Sequence, residues 1–250
     1  MQLPPPLRAA VERVLEGVAP SELMRATEVL SARCRAETRD GVPHLSHRSA
    51  VLAYVGARLP ATYAAVHRSF DAVAAECPDF APAAVLDAGA GPGTALWAAA
   101  DCWPSLTDAI LVEAEAAIRA LGEVLCGGAR PPRIAWHNAD LTAGLPDCAP
   151  RDLVALAYVL DELAPTERDA LVDRLWQLTA GIIVIVEPGT PAGWQRILRA
   201  RGRLLAAGAA LIAPCPHAQA CPIIAPDWCH FAARVERTRL HRTIKQADVP

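Results

Sequence analysis

Three of the eight cysteines of this 250-residue chain lie close together in one proline-rich stretch, at Cys215, Cys221 and Cys229. Their spacing is wider than the paired Cys-x2-4-Cys ligands of a zinc ribbon and wider than the compact cysteine run of a bacterial ferredoxin. Thiolates are soft ligands that suit either an iron–sulfur cluster or zinc. The stretch therefore predicts a metal-binding loop in which three cysteines leave one ligand position to another group.

A glycine-rich segment, Asp87-Ala-Gly89-Ala-Gly91-Pro-Gly93, lies upstream between an apolar run and an alanine-rich run. This is the order of a strand, a tight turn and a helix N-terminus, where glycines allow positive φ and a close approach to a ligand. The spacing differs from the Gly-x-Gly-x-x-Gly of NAD sites. It resembles motif I of class I methyltransferases that use S-adenosylmethionine (SAM). The resemblance implies that Asp87, Gly89, Gly91 and Gly93 bind SAM.

Acidic residues follow the next two predicted strands. Strand two, at 109–113, ends in Glu113, where a carboxylate can accept hydrogen bonds from both ribose hydroxyls. Strand three, at 133–137, is followed by Asp140, a position that in this fold often faces the adenine amino group. Further strands are predicted at 152–158 and 181–186. Strands that alternate with helices predict a doubly wound parallel α/β sheet, which binds ligands at its carboxyl edge. The alternative is a plain α/β domain with a tight glycine turn.

Further segments extend the resemblance beyond the glycine turn, at 158–163, 186–193, 213–217, 221–222, 227–231 and in the basic run 234–245. Together they resemble the Rsm twenty-two family of methyltransferase-like proteins of small-ribosomal-subunit assembly, over residues 40–250. The resemblance implies a class I SAM-methyltransferase-like fold, contact with ribosomal RNA and a role in ribosome assembly or translation. It also implies a four-iron four-sulfur (4Fe-4S) cluster, with Cys215, Cys221 and Cys229 as three of its ligands.

The family pattern is incomplete at the end of this chain. The family's fourth cluster cysteine and the last two of its usual seven strands would lie beyond Pro250. The chain is then either a fragment or naturally short. Within it, the fourth ligand could come from His217, His230 or one of the other cysteines.

The composition predicts one cytoplasmic protein, expected to be a monomer, without a disulfide scaffold, a membrane span or a signal peptide. We predict a helical region at 1–80, a SAM-methyltransferase-like domain at 81–210, and a cysteine-rich loop with a basic segment at 211–250. In the helical region, Ser21 is a predicted N-cap and Pro60 is expected to separate two helices. Ordinary structural roles are expected for Tyr54, Tyr63, Phe70, Cys34, Cys77, Cys102, Cys126 and Cys148.

Charge is distributed unevenly along the chain. Residues 1–189 carry a net charge of −9 and residues 190–250 carry +6, giving −3 for the whole chain. Arg196, Arg199 and Arg203 recur at helical spacing, which predicts one basic helix face. Arginine suits bidentate contact with phosphate, so the basic part, 196–245, is predicted to bind small-subunit ribosomal RNA. The alternative is an ordinary solvated face of a helix.

The sequence identifies no catalytic residue. Asp161 and Glu162, after strand four, fit either a general base or a helix cap. No cysteine nucleophile follows strand four or strand five. Two functions therefore remain: a SAM-dependent RNA methyltransferase, and an assembly or RNA-binding protein that keeps the fold and the cofactor without turnover. A zinc-stabilised small-molecule methyltransferase is a weaker third possibility.

Overall fold

The computed structural model describes residues 1–36, 44–129, 131 and 133–245. The ends of the predicted family resemblance, 40–43 and 246–250, lie outside these residues. The helices are α1 Pro5–Leu15, α2 Pro20–Arg35, α3 Arg48–Ala57, α4 Leu59–Glu76, α5 Thr94–Cys102, α6 Ala116–Cys126, α7 Pro165–Gln177, α8 Pro191–Ala206 and α9 Arg239–Lys245. The strands are β1 Ala84–Ala88, β2 Asp108–Val112, β3 Arg133–His137, β4 Arg151–Ala157 and β5 Thr179–Val186.

The five strands form one parallel sheet in the order β3-β2-β1-β4-β5. The chain runs outward through β1, β2 and β3 and then returns to pair β4 on the other side of β1. The order therefore reverses between β1 and β4, which is where open α/β sheets bind ligands. This confirms the predicted class I SAM-methyltransferase-like α/β fold. Among the described residues, β5 is the last strand along the chain and lies at an edge of the sheet.

Both faces of the sheet are covered, because alternate residues of the central strands enter two separate cores. Val85 and Leu153 pack with the N-terminal helices, whereas Leu86 and Val154 pack in the core that contains α7 residues. All four side chains are at most 1% exposed. A parallel sheet buried on both faces explains why its strands appear as continuous apolar runs in the sequence.

The N-terminal helices form the predicted helical cap on one face of the sheet. Tyr63 and Phe70 of α4 are buried, and the Phe70 ring lies 5.3 Å from the ring of Trp103, so their predicted packing role is confirmed. Two local predictions were wrong. Helix α2 begins at Pro20 with Ala19 as its N-cap, and not with Ser21 as the cap. Pro60 lies within the first turn of α4, where a missing N–H costs no helical hydrogen bond.

The chain after α8 has no regular secondary structure until α9, and it returns to the N-terminal region. Glu236 N–H donates to Met1 O, and Ile244 of α9 is buried beside Gly56 of α3. The predicted boundaries at residues 80 and 210 stay a prediction. None of the described helices combines the length and apolarity needed to cross a membrane.

Candidate functional site

The three glycines of the β1–α5 turn all have positive φ, at 71° for Gly89, 53° for Gly91 and 79° for Gly93. They differ in what surrounds them. A Cβ at Gly89 would lie 2.4 Å from Val159, and a Cβ at Gly93 would lie 2.5 Å from Cys126. A Cβ at Gly91 would meet no atom within 4 Å. Gly89 and Gly93 are therefore required by packing, whereas Gly91 borders open space at the carboxyl edge of the sheet.

Asp87 lies beneath this turn and is 1% exposed. Burial raises its pKa to about 7, against the opposing hydrogen bond from the Leu96 N–H. Its Oδ2 atom is buried and has no hydrogen-bond partner among the described residues. An unsatisfied buried carboxyl oxygen is costly, and sites of this kind are often functional.

Glu113, directly after β2, is tied to the glycine turn. Its Oε2 accepts the Gly91 N–H at 2.8 Å, and its Oε1 accepts the Glu115 N–H at 2.8 Å. Burial raises its pKa, and these two hydrogen bonds oppose that shift. Each carboxylate oxygen has a second lone pair, so Glu113 can still accept hydrogen bonds from a ligand.

Arg119 of α6 is a positioning residue that sequence reasoning missed. Its Nη1 donates to Glu113 O at 2.7 Å and to Asn138 Oδ1 at 3.1 Å. It thereby connects the chain after β2 with the chain after β3. The only sequence feature that links Arg119 to the site is its position six residues after Glu113. This spacing does not distinguish Arg119 from any other arginine of an amphipathic helix.

Asp140 follows β3 at the same edge of the sheet. Its Oδ1 accepts hydrogen bonds from both the backbone N and the Oγ1 of Thr142, at 2.7 and 2.8 Å. These bonds hold its pKa below the ordinary value, and the carboxylate is therefore ionised at neutral pH. The structure thus brings the predicted glycines and acids together along the carboxyl ends of β1, β2 and β3.

The ends of β4 and β5 supply further polar groups. Tyr158 has a φ of 60°, a strained value for a residue with a bulky side chain. Glu162 is accessible from this edge, yet desolvation and the neighbouring carboxylates, Asp161 first among them, raise its pKa to about 8. The helix-cap alternative for Asp161 and Glu162 is wrong, because the N-cap of α7 is Ala164, whose N–H donates to Glu167.

The predicted basic face of α8 is not a free surface. Arg196 is buried, and its Nε donates to Glu187 Oε2 at 2.6 Å. The guanidinium of Arg199 makes two hydrogen bonds to Asp169, at 2.7 and 2.5 Å. Arg203 likewise pairs with Asp173. The helical spacing of these arginines was recognised correctly, but the face they form is turned toward acids of α7 and toward Glu187, which directly follows β5.

The cysteine loop lies against α8 and the chain that follows β5. Arg201 Nη2 donates to His217 O at 2.9 Å and to Gln219 O at 2.8 Å. The indole N–H of Trp228 donates to Gly189 O at 3.1 Å. Neither anchor was predicted, because both join segments distant in sequence through backbone carbonyls that carry no sequence signal.

The three loop cysteines are free thiols and are half-buried. Burial raises the pKa of Cys229, and the neighbouring Cys215 and Cys221 raise it further. In the part of the chain that the structure describes, one group of three candidate ligands has its donor atoms all within 4.8 Å: His67, Asp71 and Cys102. The loop sulfurs are a wider set. Of the candidates for the fourth ligand, His217 and His230 are both exposed, and the other five cysteines lie outside the loop.

Comparison with known proteins gives several matches. A human relative, "Ribosome assembly protein METTL17, mitochondrial", is 33% identical over 196 residues, which are 72% of this chain and 43% of the relative. The chain thus spans less than half of that protein. Among solved structures, the plantazolicin methyltransferase BpumL in complex with SAH is 12% identical, with a TM-score of 0.44 over 72% of this chain and 57% of that one. Streptomyces venezuelae DesVI is 16% identical, with a TM-score of 0.40 over 52% of each chain.

The family described as "Rsm22: Mitochondrial small ribosomal subunit Rsm22" matches residues 48–250. That range includes the glycine turn, all five strands and the cysteine loop. With the identity to the human relative, it confirms the family that the sequence motifs indicated. The chain belongs to the Rsm22 family of methyltransferase-like proteins.

Proposed function

We propose that this chain is a SAM-binding, methyltransferase-like protein of small-ribosomal-subunit assembly, which contacts ribosomal RNA and carries an iron–sulfur cluster. The observation that carries the SAM proposal is the open space at Gly91, whose N–H is held by the Glu113 carboxylate at the point where the strand order reverses. Family membership and the printed name of the human relative support the assembly role.

The residues at this edge fit a nucleoside with a charged tail. Gly89, Gly91 and Gly93 provide a turn without side chains, and the unpartnered Oδ2 of Asp87 lies beneath it. Glu113 has lone pairs left for ribose hydroxyls, and Asp140 would accept a hydrogen bond from the adenine amino group. When bound, SAM would supply a methyl group activated by its sulfonium sulfur.

Calorimetry with SAM tests this proposal. Wild type should bind, and Gly91→Trp should not, because the indole would fill the open space. The matched control is Gly17→Trp, since Gly17 also has positive φ, at 75°, and open space around it, but lies between α1 and α2. Circular dichroism establishes that each variant is folded. Equal binding by Gly91→Trp and Gly17→Trp, or no binding by folded wild type, would overturn the SAM site.

The proposed RNA surface is the segment that precedes and begins α9. Arg234, Arg237, Arg239 and Arg242 are exposed there. Lys245, predicted as part of the same run, ends α9, and its side chain lies outside the described residues. Exposed arginines can bind phosphates without first breaking an internal ion pair. The cytoplasmic location and the monomeric state stay predictions, and the human relative is mitochondrial by its name.

The proposed cluster ligands are Cys215, Cys221 and Cys229. All three are half-buried free thiols of one loop, which supports a shared site, because three neighbouring thiolates need a cation to offset their repulsion. Their wide arrangement favours a cluster over one zinc ion, whose 2.3 Å zinc–sulfur bonds would bring tetrahedral sulfurs to about 3.8 Å from one another. The fourth ligand would be His217, His230 or a group from outside this chain.

Anaerobic purification with iron and sulfide analysis tests the cluster. The expected result is a brown protein that contains both elements and loses them in Cys221→Ser. The matched control is Cys77→Ser, because Cys77 is also half-buried but precedes the sheet. A colourless protein with stoichiometric zinc, lost in Cys221→Ser, would replace the cluster with the zinc alternative.

Catalytic turnover is a second candidate function, favoured by Glu162. A carboxyl with a pKa of about 8, four residues after the strained Tyr158, is the kind of group found in active sites. Labelled SAM with small-subunit RNA tests this function. Methyl transfer that is lost in both Gly91→Trp and Glu162→Gln would identify an enzyme. SAM binding without transfer would leave an assembly protein that retains its cofactor.

A further inference from the structure

A second group of metal-ligand side chains lies outside both the glycine turn and the cysteine loop. His67 and Asp71 occupy successive turns of α4, and Asp101 and Cys102 are the last two residues of α5. Cys102 Sγ is 3.7 Å from His67 Nε2 and 3.8 Å from Asp71 Oδ1. Asp101 Oδ2 is 3.0 Å from the same His67 nitrogen. Three potential ligands from two helices, His67, Asp71 and Cys102, therefore have donor atoms within 4.8 Å of one another, and Asp101 lies beside His67.

This group is separate from the proposed SAM site. Helix α5 begins directly after the glycine turn and ends at Cys102, and it has nine residues. At 1.5 Å per residue, the cysteine lies about 13 Å along the helix from the turn. The group is thus at the opposite, amino-terminal edge of the sheet, where α4 of the helical cap packs against α5.

The distances match those between ligands of a single tetrahedral ion. Zinc bonds of about 2.0 Å to nitrogen or oxygen and about 2.3 Å to sulfur place tetrahedral ligand atoms about 3.3 to 3.8 Å apart. Cys102 Sγ lies 3.7 Å from His67 Nε2 and 3.8 Å from Asp71 Oδ1, and the three donor atoms all lie within 4.8 Å of one another. The combination of thiol, imidazole and carboxylate suits zinc, whereas calcium and magnesium take oxygen ligands.

The surroundings also resemble those of a metal site. The buried Tyr63 donates its hydroxyl hydrogen to Asp101 Oδ2 at 2.8 Å, and the same oxygen lies 3.0 Å from His67 Nε2, so Asp101 helps to position the imidazole. His67 Nδ1 lies 3.2 Å from Asp71 Oδ2. The His67 side chain is 14% exposed, but those of Asp71 and Asp101 are 40% and 52% exposed, and an ion could enter from solvent.

We propose that His67, Asp71 and Cys102 bind one Zn²⁺ ion, which joins the helical cap to the first helix of the methyltransferase-like domain. Cys102 then has a ligand role, in place of the ordinary role that the sequence suggested. Without metal, His67 would contact Asp71 and Asp101 directly, beside the Cys102 thiol. The proposal is independent of SAM and RNA binding.

The test uses the full chain with Cys215, Cys221 and Cys229 changed to Ser, so that the loop takes up no metal. Zinc is titrated against a chromophoric chelator, and cobalt(II) serves as a spectroscopic probe. We expect one equivalent of zinc, a sulfur-to-cobalt charge-transfer band and a zinc-dependent rise in Tm. His67→Gln should abolish all three, and Cys102→Ser should remove the charge-transfer band. Cys77→Ser is the matched control and should change none of them.

Two further measurements keep the result interpretable. Asp71→Asn changes a partly exposed carboxylate, so it should weaken zinc binding at least tenfold while the circular dichroism stays that of the parent. In the chain with its loop cysteines intact, His67→Gln should lower the bound cobalt by one equivalent. Absence of stoichiometric zinc binding, or binding that survives both His67→Gln and Cys102→Ser, would leave a metal-free ion pair and overturn the proposal.

Discussion

Two groups of arginines, similar in sequence, have opposite environments in this molecule. Arg196, Arg199 and Arg203 of α8 are each paired with an acid of β5, α7 or the adjoining chain. The second group consists of Arg234, Arg237, Arg239 and Arg242, whose side chains are exposed. Within the part of the chain that the structure describes, none of them forms an ion pair with an acid. The first group contributes to the fold, whereas the second group remains available to a partner.

The difference arises from what each segment packs against. Helix α8 lies beside α7, whose Asp169 and Asp173 are one turn apart and face it. The segment with the second group lies next to residues 1–2, where its own acid, Glu236, is already bonded to Gln2. Net charge along the sequence therefore overstates the surface charge near α8.

The largest expected effect is that of Arg196→Ala. It would leave Glu187, whose side chain is 1% exposed, without its cationic partner. Removing one member of a buried ion pair costs about 3–5 kcal/mol, which should appear in urea unfolding. Arg199→Ala, one turn away in the same helix, is the matched control. A loss below about 1 kcal/mol would contradict the structural role of Arg196.

The second-largest effect is expected for RNA binding by the exposed arginines of the second group. Arg234→Ala, Arg237→Ala and Arg239→Ala together should weaken binding to small-subunit RNA and reduce the slope of log K against log salt by about 2–3, since each phosphate contact contributes about 0.7–0.9. The urea midpoint should not move. The control, Arg199→Ala with Arg203→Ala, removes paired arginines and should leave the slope nearly unchanged. The opposite pattern would assign the RNA surface to α8.

The acids that pair with α8 should also differ in their response to pH. Burial raises the pKa of Glu187 to about 7 despite Arg196, whereas arginine hydrogen bonds lower the pKa of Asp169 and Asp173. A carboxyl whose pKa is raised by folding stabilises the protein fully at a pH below its pKa in the unfolded chain. This contribution is lost as the pH rises to about 7. The two aspartates have lowered pKa values, so they stabilise the fold at neutral pH and lose this contribution as the pH falls.

We therefore expect Glu187→Gln to flatten part of the decline in unfolding free energy between pH 5 and 8. The rest of the decline should persist, because Asp87, whose pKa is also about 7, and Glu162 still titrate in this range. Asp169→Asn should act only at the acid end. Unfolding by urea at stepped pH measures both slopes, and an unchanged slope above pH 5 in Glu187→Gln would show that its carboxyl is ionised throughout.

The smallest effect is expected for Arg199→Ala and Arg203→Ala on stability. Both guanidinium groups are exposed, and solvent screens exposed ion pairs. The urea midpoints should stay close to that of wild type, and any difference should shrink in high salt. A large, salt-independent loss would mean that these pairs are as important to the fold as Arg196.

Sequence patterns predicted the sheet accurately, because strands, the glycine turn and the acids at strand ends are local features. The predicted β3, at 133–137, matches the observed strand at both ends, and the other four predicted strands overlap their observed positions closely. Helix ends were less predictable. Ser21 and Asp161 are good capping residues by type, yet the chain enters α2 and α7 through Ala19 and Ala164, which offer only a backbone.

By itself, the sequence determined the family, the parallel α/β fold and the positions of the glycines and carboxylates at the sheet's carboxyl edge. The tertiary structure decided which charges are free. It buried Arg196 against Glu187, left Arg234 exposed, and brought Cys102 within reach of His67, which is 35 residues earlier in the chain. The reason is physical: a strand or a turn depends on its near neighbours, whereas an ion pair or a ligand group depends on which helices pack together.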